Sequence, residues 1–141
     1  MDVQTAVETA IYNSLSQNQN IIALVGRNPT NATVQYQIYN TQAPIESPYP
    51  LIVFYELDGN YNTKAPSRAY DFMYRIVCWA YNKSESRKLL GYVYDTLDRK
   101  QFSVAEYQLY QVLGKKPTST LTNVEGNQVY GAVGVYEILV K

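Results

Sequence analysis

The sequence predicts an α+β domain: a mainly antiparallel, or mixed, β-sheet of about five strands with two helices packed on it, in the order α-β-β-β-α-β-β. Three observations predict it. Two stretches, 3–16 and 82–100, repeat apolar side chains at the helical period. Five others, 33–40, 51–57, 71–81, 104–113 and 129–141, alternate or are apolar throughout, as strands do. Turn signals and polar stretches between the strands favour hairpin connections.

In the first helix Val3, Ala6, Val7, Ala10, Ile11 and Leu15 share one face. "QNQN" (17–20) interrupts that pattern, and "IIALVG" (21–26) fits one short helical turn ended by Gly26. "RNPTNAT" (27–33) is loop by composition. "TVQYQIYN" (33–40) places Val34, Tyr36 and Ile38 on one side of a half-buried strand.

Pro44, Pro48 and Pro50 then crowd against the apolar run Leu51–Tyr55. Proline cannot donate to a ladder, and it biases its predecessor toward extended geometry. The segment therefore predicts a stiff crossing that prevents pairing out of register, with Pro50 opening a central strand over 51–57. "DGN" (58–60) signals a turn, and 61–70 a long polar connection.

Asp71–Tyr81 is the third strand, with Tyr74, Ile76 and Cys78 on one side and Val77 and Trp79 on the other. Apolar residues on both sides predict cover on both faces. Asn82 with Glu85 forms a capping box, Ser84 being the alternative cap. Leu89, Leu90, Val93, Tyr94 and Leu97 make the buried stripe of the second helix, which Arg99 and Lys100 are expected to close at its negative end. Residues 104–113 predict a strand, 114–128 a Ser/Thr-rich loop, and 129–141 a final strand. Gly131 and Gly134 inside that strand mark a bulge or a close backbone approach.

The 141 residues form one expected domain, 1–141, long enough to bury roughly 68–70% of the unfolded surface. The single cysteine excludes an internal disulfide. Twelve basic and twelve acidic residues cancel, so nothing general draws the chain to nucleic acid or an anionic membrane. The longest apolar runs are five residues, against about 20 for a membrane helix, and the N-terminus lacks a signal-peptide pattern. A cytosolic protein without membrane association is expected. Fifteen tyrosines fit either an extensive contact surface or a Tyr-rich, half-exposed sheet.

No histidine is present, so the usual neutral-pH base and the commonest metal ligand are missing. Cys78 sits mid-strand among apolar neighbours. Asp95 and Asp98 lie one helical turn apart but more often form a solvated face than a metal site; Glu56 and Asp58 suit turn chemistry. No phosphate loop, dinucleotide fingerprint or nucleophile elbow occurs. No enzyme activity, cofactor or metal is expected. The candidate contact residues are Tyr61, Lys64, Arg68 and Tyr70 in one loop and Lys115 and Lys116 in another. Basic residues among aromatics can hold single-stranded nucleic acid, although solubilising loop tips have the same composition.

Three phrases resemble the tail-completion, or tail-terminator, proteins of long-tailed bacteriophages. They are the first helix leading into "IIALVG" (21–26), "IYNTQAPIESPYPLIVFYEL" (38–57), and "YDFMYRIVCWAYNKSESRKLLGYVYDTL" (70–97). The closing "VYGAVGVYEILVK" is similar to that family's last strand. The tyrosine load and the 114–128 segment depart from the family pattern, and 61–70 has no clear counterpart. The resemblance implies a virion protein, made in the host cytoplasm. Such a protein caps the finished tail tube, usually as a hexameric ring, stops its elongation and offers the head connector a joining surface. The genome then passes through the lumen without sequence-specific binding. A head-completion or neck adaptor protein, or a small cytosolic protein-binding module, is the alternative.

Overall fold

The computed structural model describes residues 2–29, 35–44, 47–57, 70–114, 118–124 and 127–141. The chain runs α1 (Val3–Ser16), α2 (Gln19–Val25), β1 (Ile38–Asn40), β2 (Leu51–Glu56), β3 (Tyr70–Ala80), α3 (Lys83–Leu97), β4 (Leu109–Gly114), β5 (Thr118–Val124) and β6 (Asn127–Val140). The strands form one six-stranded sheet in the order β1-β2-β3-β6-β4, with β5 also paired to β6. Only β1 and β2 are parallel. The predicted α+β class holds, with one more strand and one more helix than expected.

Each difference has a local cause. Asn18 caps α2 by accepting from the N–H groups of Asn20 and Ile21, so "QNQN" separates two helices instead of ending one. Gly26 ends α2 at φ 72°, a left-handed value that suits glycine. Of the strand expected over 33–40, the described residues place Ile38–Asn40 in β1 and Tyr36 in an isolated bridge with Arg27, while 33 and 34 lie outside the described residues. The strand expected over 104–113 begins only at Leu109, and its register slips between Leu109 and Gln111. The loop expected over 114–128 contains β5, whose Thr-rich sequence suits a strand although it lacks an apolar alternation. Both β4 and β5 pair with the same edge of β6, end to end.

α1 and α3 lie on one face of the sheet. Beneath them Ile52, Phe54, Tyr74, Ile76, Cys78, Val112, Tyr136 and Ile138 meet Val7, Ile11, Leu15, Leu89, Val93 and Leu97 in one core. Asn82 caps α3 by accepting from Glu85 N at 2.7 Å, and its amide returns a bond to the Glu85 carboxylate at 3.3 Å. The expected basic close of this helix does not occur. α3 stops at Leu97 because the Asp98 carboxylate is captured by Gly114 N–H at 2.7 Å, and Arg99 turns away at φ 57°.

The proline segment is tied down by Gln37. Its buried amide donates to the carbonyls of Val25 (3.1 Å) and Pro48 (2.8 Å), and its oxygen accepts from Tyr39 at 3.2 Å. The crossing from β1 to β2 is thereby fixed to the end of α2. β2 is central, as expected, with β1 on one side and β3 on the other.

The two β6 glycines are close approaches. A Cβ on Gly131 would lie 2.8 Å from the Trp79 ring, and one on Gly134 would lie 2.9 Å from Tyr136 and 3.1 Å from Leu90. Gly134→Val is expected to lose about 1–3 kcal/mol through overpacking, read as a lower denaturation midpoint at unchanged slope. Gln37→Ala leaves buried carbonyls unpaired and is expected to lose about 1–3 kcal/mol in the same measurement.

Candidate assembly surfaces

Among the described residues no helix packs on the second face of the sheet. Along β3 the side chains alternate: Phe72, Tyr74, Ile76 and Cys78 enter the core, so Met73, Arg75, Val77 and Trp79 point the other way. Val133, Val135 and Leu139 of β6, Leu113 of β4 and Val53 and Tyr55 of β2 share that side. A small cluster of Tyr39, Leu51 and Val53, with Tyr49 and Trp79 against it, covers only the β1–β2 corner. On this second side of β3, Val77 is buried and Met73, Arg75 and Trp79 are half-buried. Trp79, Val133, Val135 and Leu139 are half-buried.

Charge on this face is sparse. Arg75 donates from Nη1 to the Tyr55 hydroxyl at 3.1 Å and lies 5.8 Å from that ring's centre. Asp71 keeps a buried carboxylate oxygen without a hydrogen-bond partner among the described residues. Glu137 stands opposite Met73.

Of the residues singled out in the sequence, Tyr70 is described. It opens β3 opposite Val140, is 48% exposed, and stacks on Phe72 with ring centres 6.4 Å apart. Tyr61, Lys64, Arg68, Lys115 and Lys116 lie outside the described residues. At the opposite end of β3, exposed Tyr81 meets Tyr49 edge-on at 5.2 Å. The sequence signal for this second aromatic pair was the tyrosine beside the proline cluster, which composition alone could not place.

A shallow groove of about 270 Å³ runs between α1 and β1–β2, lined by Thr5, Glu8, Thr9, Tyr12, Ile38, Asn40 and Phe54. Its carboxylate is already engaged, because Glu8 accepts from the Tyr74 hydroxyl at 3.2 Å. Among the described residues no cluster of three or more His, Cys, Asp or Glu could hold a metal. Asp98, half of the pair considered for a metal, is spent on Gly114 N–H and on Tyr94, whose phenol that hydrogen bond pushes up in pKa. Burial pushes the Cys78 thiol up and favours its inert neutral form. No helix among the described residues is long and apolar enough to cross a membrane.

No protein-family model and no curated protein matches this sequence. Among solved structures, a chain of the structure described as "Virion of native gene transfer agent (GTA) particle" is similar in fold. The two share a TM-score of 0.71 at 15% sequence identity, over 98% of this chain and 96% of that one. The likeness is one of fold, and it runs almost end to end on both sides.

Two phenols are buried in the core. Desolvation raises the pKa of both Tyr74 and Tyr136, and the Glu8 and Glu56 carboxylates add to the effect at Tyr74. Folding thus favours their neutral forms. That stabilisation is complete below the ordinary tyrosine value of 10.0 and is lost as pH rises beyond it. The melting temperature is expected to fall steeply above that pH, and less steeply in Tyr74→Phe and Tyr136→Phe. At neutral pH Tyr136→Phe is expected to be neutral or stabilising, since that hydroxyl is buried without a hydrogen bond among the described residues.

Proposed function

We propose that this protein is a tail terminator, a virion component that caps the completed tail tube as a ring, halts its elongation and presents the surface that joins tail to head. The observation that carries this reading is the near end-to-end likeness in fold to a chain of a gene transfer agent virion. The tail-terminator phrases in the sequence, above all the proline step into β2, support the finer assignment. The fold suits such a role physically. The sheet face on which no described helix packs is apolar and low in charge, as surfaces buried between proteins are. The sequence has no histidine, and its one cysteine is buried, which suits an assembly role better than a catalytic one.

In this reading, neighbouring copies form a hexameric ring by head-to-tail contacts, since closed cyclic assemblies larger than a dimer need two different patches per subunit. Lys64, Arg68, Lys115 and Lys116, with Tyr61 and Tyr70, are the proposed contacts to tube, connector or lumen. DNA passes through without base-specific recognition, as the balanced charge suits.

Electron microscopy of particles assembled without this protein tests the assignment. Overlong or headless tails are the expected result. Tails of normal length beside heads that leak their genome would instead point to a head-completion protein of the neck. Replacing all four lysines and arginines by alanine is expected to abolish tail joining in the same preparation while leaving the folded chain intact.

A further inference from the structure

We propose that the outer face of α3 pairs with α3 of a second copy, the two helices lying antiparallel about a two-fold axis with Gly91 at the crossing. The pair goes beyond the ring reading and does not depend on it. A two-fold contact closes at two copies, whereas a ring needs head-to-tail patches, so the pair is a state of the free protein.

Two features of α3 cost the single chain stability and have no cause within it. The first is Gly91. The helix turns Ser86, Leu89, Leu90, Val93 and Leu97 into the core. At about 100° per residue, Gly91 falls in the middle of the opposite face. It is exposed, and a Cβ built there meets nothing within 4 Å. Glycine inside a helix is destabilising relative to alanine, and no close approach within the chain calls for it. The approach of another helix backbone from outside does call for it.

The second feature is the order of charge. Exposed Lys83 opens α3, exposed Lys88 follows in its second turn, and exposed Asp95 lies in its last turn, which holds no basic residue. The helix macrodipole favours the reverse order, with anions at the start and cations at the end. Among the described residues neither Lys88 nor Asp95 has an ion pair.

A second copy accounts for both features. Lys88 stands three residues before Gly91 and Asp95 four after it, and the helical period puts them on the same flank of the exposed face. An antiparallel helix crossing at Gly91 therefore sets Lys88 opposite the partner's Asp95, and Asp95 opposite the partner's Lys88. The same arrangement aligns the two macrodipoles favourably, head beside tail. Tyr94, 39% exposed and held by a hydrogen bond to Asp98, supplies an aromatic rim on the other flank. The face is small. Fifteen residues of helix make a strip about 22 Å long and about 10 Å wide, roughly 220 Å², against the roughly 800 Å² per partner of a standard interface. The pair is accordingly weak and readily exchanged.

Sedimentation equilibrium of the full chain at low salt tests the pairing. The expected result is a monomer–dimer equilibrium that shifts to monomer as salt is added. Lys88→Asp and Asp95→Lys each place like charges opposite one another, and each alone is expected to pair at least about tenfold more weakly. An equimolar mixture of the two variants restores both opposite-charge pairs and is expected to recover the dimer. A monomer at every concentration, single variants that pair as the unaltered protein does, or a mixture that stays dissociated each overturns the proposal. A closed larger ring with no dimer also overturns it, while supporting the ring reading. Gly91→Gln supplies a second readout. It is expected to raise the melting temperature of the monomer and to weaken pairing by about tenfold. A higher melting temperature with unchanged pairing overturns the proposal.

Discussion

The ladder between β3 and β6 is the constraint on which the rest of the structure depends. It runs without a break from Tyr70 opposite Val140 to Ala80 opposite Tyr130. On one side of it β3 holds β2, and through β2 the proline crossing and β1. On the other side β6 holds both β4 and β5. The core and the second face are the two sides of this same ladder, so a register slip of one residue would exchange them. Gly131 favours this register sterically, because Trp79 of β3 occupies the space over it.

From that ladder the division of labour follows. The helix-covered side supplies stability, with buried leucine, isoleucine and valine filling the space under α1 and α3. Gln37 contributes in a different way: one buried amide connects the end of α2, the proline segment and Tyr39. The stiffness expected from the prolines is thus anchored by a hydrogen-bonded side chain.

Much of this was legible in the sequence because it is local. The capping box of Asn82 and Glu85, the stripe of α3 and the apolar run after Pro50 each announce an element within a few residues. What was illegible is non-local. β5 is a strand because β6 offers it an edge, whereas its own polar sequence suggests a loop. α3 ends where it does because Gly114, sixteen residues on, claims the Asp98 carboxylate. The apolar residues on both sides of β3 correctly signalled a strand that wants cover on both faces. They could not tell that, among the described residues, helices pack on only one. Of the candidate contact residues only Tyr70 falls among the described positions, where β3 begins and on the same side of the strand as Phe72.

The central claim is that this fold ends a tail tube. The most direct measurement is polymerisation of the purified tail-tube protein, followed by tube length in electron micrographs, with this protein added at one ring or fewer per tube end. The account predicts that tubes stop growing and carry added density at one end only. Tubes that lengthen as before, or that bind the protein along their whole length, would contradict it.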